Sequence, residues 1–213
     1  MIDTKQQDIN QLLKAHNELR KDPKSFVKKL EDNKKYFRDN LFAKPGENYL
    51  MTNEGVAGYD EAIKFLKEQK SVGSLTIDEK LNEAAKKHLE YIGAGGLVTH
   101  TGDGGKNVSE RVEEFTEWEV SLGENLDFGT KDPVGILINL LVDDGVSARP
   151  HRKNLFNDTY QYVGIAIGPH KEYKWAAVVI YAGNLRKLNT PFYDFKRFKY
   201  QYPVELTEEQ KKN

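Results

Sequence analysis

The sequence predicts an α+β fold in which helices pack on an antiparallel sheet. Apolar residues recur at helical spacing through much of the chain, whereas the strong strand signals come late, in YQYVGIAIG and YKWAAVVIYAG. The turn GPHKE between those two runs makes them an antiparallel hairpin. A length of 213 residues with 38% hydrophobic content suits one domain with a sizeable core and is short for two.

The elements follow in order. Ile9, Leu12, Leu13, His16 and Leu19 share one helical face, which predicts a helix from about Asp8 to Arg20. Asp22-Pro23 reads as an N-cap followed by a first-turn proline, opening a helix that carries Phe26, Val27, Leu30 and Tyr36. AKPGENYLMTNEG is turn-rich, and YDEAIKFLKEQK is a short helix with Ala62, Ile63 and Leu66 on one side. Thr76 and Glu79 form a capping box at the head of a helix striped by Leu81, Ala84, Ala85, His88 and Ile92. Glycine-rich connections, GAGG and GDGG, lead to a second cap at Asn107 that opens SERVEEF. Asp132-Pro133 caps PVGILINLLVDD, which Gly145 stops before the hairpin. The expected organisation is one compact domain: a helical region 1–75 packed on a core 76–185, with a tail 186–213 that alternates aromatic and basic residues.

Composition narrows function. The net charge of −1 gives no case for a nucleic-acid or anionic-membrane partner, because long-range attraction needs an excess of one sign. The lack of cysteine excludes disulfides, thiolate nucleophiles and cysteine-ligated zinc or iron–sulfur sites. MIDTKQQDIN has no apolar core of a signal peptide, and no apolar run reaches the length of a transmembrane helix.

Of the five histidines, His16 and His88 sit inside apolar helical stripes and read as core residues, and His170 falls in the hairpin turn and reads as exposed. His100 and His151 lie in connections at helix ends, where a rigid scaffold commonly positions function. Glu124, in SLGENLDFG, and the pair Asp143 and Asp144, in VDDGVSARPHRKNLF, are the accompanying acids. Acids at a helix C-terminus oppose the macrodipole and invite a compensating cation, either a metal or Arg149 and Arg152. No HExxH, GxSxG, phosphate-loop or EF-hand spacing is present, and GDGGKN is too short and too poor in carboxylates for a calcium loop. Spacing alone stops at two loop histidines and two or three acids.

HNELR at 16–20, LNEAAKKHLEYI at 81–92, THTGDGG at 99–105, GENL at 123–126, HRKNLF at 151–156 and the late hairpin, in this order, resemble the CAP superfamily. Its members are cysteine-rich secretory proteins, antigen 5 and pathogenesis-related proteins type 1, and this chain is similar to the cysteine-free type with a helical N-terminal extension. The resemblance implies an α–β–α sandwich with a cleft holding two histidines and two acids. By position these are His100, Glu124, His151 and Asp143, with Asp144 as the alternative second acid. It departs from the family pattern in an aspartate for the usual glutamate, in Pro150 where a glycine usually precedes the second histidine, and in lacking GHxTQ.

Such a site implies a divalent cation, Zn²⁺ or another, with the acids either ligating or orienting the imidazoles. A metal-dependent hydrolase or protease with Glu124 as general base is the alternative, although Ser109 and Ser121 show no reason for activation. A sterol or lipid ligand is the third implication, with Phe192, Tyr193, Phe195, Phe198, Tyr200 and Tyr202 as a contact beside Lys196, Arg197 and Lys199. The resemblance also implies secretion, and a binding role toward a protein or lipid partner ahead of catalysis.

Overall fold

The late hairpin is the spine of the molecule. In the computed structural model, which describes residues 4–46 and 49–186, strands β6 (Tyr162–His170) and β7 (Lys174–Arg186) pair antiparallel from Tyr162↔Ala182 to His170↔Lys174. Strand β5 (Glu117–Phe128) joins the other side of β7, and β4 (Thr76–Ile77) adds parallel to β6 at Tyr162 and Val163. The order is β4-β6-β7-β5, which leaves β7 interior. A strand buried on both faces needs no polar alternation, hence the unbroken AAVVIYA.

Its side chains divide between two cores. Ala177, Val179 and Tyr181 face the first, with residues from α1 (Thr4–Lys21), α2 (Val27–Lys34), α3 (Val56–Glu68), α6 (Pro133–Val142) and α7 (Pro150–Leu155). Ala176, Val178, Ile180 and Ala182 face the second, with α4 (Glu79–Gly95) and α5 (Val108–Val112). Helices on both sheet faces make the α–β–α sandwich. Close approach is built in: a Cβ on Gly164 of β6 would meet the Leu81 carbonyl carbon of α4 at 2.2 Å.

Several expectations change. The first helix begins at Thr4, ahead of Asp8, while Pro23 opens a short 3₁₀ turn and Tyr36 lies past the end of α2. The turn-rich segment holds part of a small three-stranded antiparallel sheet, β1 (Phe37–Arg38), β2 (Leu41–Phe42) and β3 (Leu50–Met51). Thr76 is no cap. Thr76 N and Asp78 N donate to Gln161 O and Val163 O in the parallel ladder, so Asp78 takes the cap and accepts from Lys80 N and Leu81 N. Gly145 does not stop α6, because Asp143 turns left-handed first, at φ 55°. His170 is buried, not exposed: it contacts Leu97 O at 3.0 Å and stands edge-on to Phe128. The caps at Asn107 and Asp132 form as read. The aromatic–basic tail beyond Arg186 lies outside the described residues.

HNELR is a core motif. Arg20 is fully buried and donates to the carbonyl oxygens of Gly73, Leu155, Asn157 and Tyr160. His16, also buried, lies 3.4 Å from Leu155 O and edge-on to Tyr181. Burial, reinforced by the Arg20 charge, lowers the His16 pKa to about 3. The native state therefore keeps the ring neutral while the unfolded chain takes up a proton near its ordinary pKa, about 6.5. Stability from this site is full above that value and is lost as pH falls from it toward the native pKa. Urea unfolding of the wild type should lose about 2–3 kcal/mol more than His16→Gln between pH 7 and about pH 4.5. Equal losses in the two proteins would show that His16 does not set the acid limit.

Candidate functional site

Strand alternation decides where GEN points. Glu124 sits opposite Ile180, on the second-core face, while Asn125 sits opposite Val179, on the first-core face. The sheet-edge strand β5 therefore presents a carboxyl to one helical layer and an amide to the other.

On the Glu124 face, α4 ends at Gly96 in the left-handed conformation, and the chain turns back to deliver His100. His88 Nε2 holds this loop through Thr99 O at 3.1 Å. His100 Nδ1 lies 2.8 Å from Glu124 Oε1. Arg111 Nη2 donates to both Glu124 oxygens, at 2.9 and 2.7 Å, and to His100 O at 3.1 Å. The Glu124 side chain is 2% exposed and the His100 side chain 58%. A buried carboxylate so held is an orienting group, with the imidazole reaching outward.

On the other face, Asp143 ends α6 and begins the site. Its Oδ1 lies 2.7 Å from His151 Nδ1, and its Oδ2 accepts from His151 N at 2.8 Å and from Arg152 N at 3.4 Å. Asp143 thus caps α7, where a negative charge is favoured. Pro150 is the first residue of that helix, a position that needs no N–H donor. Burial pushes the Asp143 carboxyl up, but the hydrogen bond and charge of His151 and the two N–H groups outweigh it, so its pKa lies below the ordinary value. The Asp143 side chain is 2% exposed and that of His151 26%.

Asp144 does different work. It accepts from Asn53 N, Asn53 Nδ2 and Glu54 N, fastening the loop that precedes α3. Arg149 and Arg152 do not pair their guanidinium groups with Asp143 or Asp144 carboxylates. Arg149 binds Glu54 at 2.7 and 2.9 Å, and Arg152 binds Glu61 at 2.7 and 2.6 Å, so both clamp the His151 segment to α3.

The structure thus pairs His100 with Glu124 and His151 with Asp143. Among the described residues no group of three or more His, Asp or Glu is disposed to hold a metal ion. In both pairs the carboxylate can only accept, so a neutral ring carries its proton on Nδ1 and leaves the Nε2 lone pair available. Asn125 joins the two sides: its amide donates to His151 O at 3.1 Å, and Asn154 donates to Asn125 Oδ1 at 2.8 Å and to Glu124 O at 3.4 Å. Beneath it, burial raises the Asp127 pKa to about 7 despite hydrogen bonds from Asn139 and Thr130.

Sequence reasoning missed Arg111, Asn125 and Asn154. Only Arg111 carried a signal, lying four residues after the Asn107 cap and so on a fixed turn of α5. Ser109 is engaged with Glu113 and Trp118, and Ser121 with Thr159.

Solved structures similar to the chain include the following three. An outer surface protein of Borrelia burgdorferi has 20% identity and TM-score 0.45, over 52% of this chain and 78% of that one. An extracellular protein containing an SCP domain from Bacillus anthracis has 19% identity and TM-score 0.43, over 57% and 37% respectively. A venom allergen-like protein of Schistosoma mansoni has 15% identity and TM-score 0.40, over 75% and 84%. No curated protein matches the chain. The model of the CAP cysteine-rich secretory protein family matches residues 13–181, most of the 213-residue length, and the chain belongs to that family.

Proposed function

We propose that this CAP-domain protein works outside the cell as a binding protein, and that His100 and His151 give it a divalent-cation site of the Zn²⁺ kind. One observation carries the reading: each histidine has Nδ1 fixed by a buried carboxylate and keeps Nε2 for a ligand. That is the arrangement by which second-sphere carboxylates orient metal-binding imidazoles. Each acid already accepts from three N–H groups, which suits it to orient a ring rather than to ligate, and water would complete the coordination of a bound cation. A site with two protein ligands is of modest affinity. A metal so held would act as a Lewis acid. Glu124, the candidate general base, is bound by Arg111 and His100 on its oxygens, which supports binding over hydrolysis. Membership of a family described as secretory supports the extracellular placement. Among the described residues no helix is long and apolar enough to cross a membrane.

Calorimetric titration with Zn²⁺ near pH 7.5 should show one site per chain, abolished in both His100→Ala and His151→Ala. Because imidazole protonation competes with the metal, affinity should fall at about pH 5.5. A flat titration, or one indifferent to the two substitutions, would overturn the cation reading. The two aspartates supply a second test. Asp143→Asn should weaken Zn²⁺ about 10–100-fold by releasing the His151 ring, whereas Asp144→Asn should leave affinity unchanged. Equal effects of the two would remove Asp143 from the site.

A further inference from the structure

Strand β6 is an open sheet edge for most of its length. Among the described residues its outer neighbour is β4, which pairs with it at Tyr162 and Val163 alone. There Thr76 N donates to Gln161 O and Asp78 N to Val163 O, and the chain then leaves the sheet into α4. The ladder continues one step without a strand, because Ile165 N donates to the Asn82 side chain at 2.8 Å. Outward-facing groups recur every second residue, so Ile167 also turns its N–H and C=O away from β7. The edge is next met at Gly93 of α4, whose backbone is pressed onto Pro169 O and accepts from Lys171 N at 2.9 Å. Between those two points, among the described residues, Ile165 O, Ile167 N and Ile167 O have no partner.

A groove of about 920 Å³ runs along this gap. Ile165, Ala166 and Ile167 line it, and its walls include Ile9 of α1 and Leu89 of α4. Ile165 and Ile167 belong to the first core and Ala166 to the second, so the groove straddles the sheet edge between the two helical layers. An unpaired edge of this kind is a template on which an extended chain adds as a strand.

Direction and chemistry follow from β4 and from the rim. A strand parallel to β6 continues the line that β4 abandons, accepting from Ile167 N and donating to Ile165 O and Ile167 O. Charges along the α4 wall are matched, Glu83 with Lys80 and Lys86 with Glu90. Glu79 and Lys171, at opposite ends of the groove, are exposed and have no ion-pair partner among the described residues. From Glu79 to Gly93, beside Lys171, α4 spans about 21 Å at 1.5 Å per residue. That is the reach of about six extended residues.

We propose that this groove binds an extended peptide of about six residues as a strand parallel to β6, apolar in its middle, cationic at its N-terminal end and anionic at its C-terminal end. Its side chains alternate between the Ile9 wall and the Leu89 wall. The groove lies at the sheet edge opposite β5 and does not depend on the cation site.

Nitrogen-15 NMR of the full chain, with backbone amides assigned, tests this without any metal. The probes are acetyl-Lys-Val-Ala-Val-Ala-Glu-amide and the same residues in reverse order. The forward peptide should shift the Ile167 amide saturably and slow its hydrogen exchange, while the Val178 amide inside the sheet stays in place. The reversed peptide should bind about tenfold more weakly, since both rim pairs become like charges. In the double variant Glu79→Lys with Lys171→Glu, at two exposed positions, the preference should invert. Equal binding of the two peptides, or a preference unchanged in the double variant, would overturn the proposal. So would the absence of a saturable shift at Ile167. A shift produced by dodecanoate but by neither peptide would make the groove a lipid site, and one produced by raising the protein concentration alone would make it a contact between copies; either result refutes the peptide.

Discussion

A buried guanidinium sets the frame on which everything else hangs. Arg20 is fully buried, and its described hydrogen bonds run to backbone carbonyls alone, those of Gly73, Leu155, Asn157 and Tyr160. A cation removed from water costs several kcal/mol unless its donors are met, so these carbonyls must converge on α1 for the core to close. They belong to the segment entering β4, the C-terminal end of α7 and the approach to β6. One side chain thus fixes where the sheet begins relative to the first helix. It also pins the far end of the helix that carries His151.

The near end of α7 is held by other means. Asn125 binds His151 O, Asp143 caps the helix, and Arg149 and Arg152 reach across to Glu54 and Glu61 of the α3 region. Glu124 and Asp143 are both buried acids, yet they are stabilised differently. Glu124 is met by Arg111, an opposite charge, whereas Asp143 is met by helix N–H groups and the His151 ring. The outcome on each side is the same, a histidine whose Nδ1 is fixed inward and whose far nitrogen points away from its acid.

Legibility in the sequence followed the kind of force involved. Local hydrogen bonding was readable: the caps at Asn107 and Asp132 need only neighbours within one turn. The hairpin was readable because β7 is buried on both faces and so is apolar throughout. Strand β5 was not. A bulge between Glu119 and Leu122 breaks its period, and its buried Glu124 and Asp127 look like solvent-facing residues. His170 misled for a related reason, since its acceptor Leu97 O lies 73 residues away. Thr76 lost its cap to a ladder with Gln161 and Val163, which no local pattern records. His100, Glu124, Asp143 and His151 were reached through ordered family-like segments, whereas Arg111, which holds Glu124, acts across a tertiary contact that spacing does not encode.

The division of the site follows from the edge position of β5. An interior strand would have a neighbour on each side, leaving no open flank for groups from both helical layers to approach. At the edge, successive residues Glu124 and Asn125 organise opposite layers, the first gathering α5 and the loop after α4, the second gathering α7. A ligand engaging both histidines would link the two layers around that edge and add a bridge that the hydrophobic cores, which end at the sheet, do not provide. In a chain without cysteine, and so without a disulfide to join those layers, the strand-to-helix hydrogen bonds of Asn125 with His151 O and Asn154 fasten α7 to this edge.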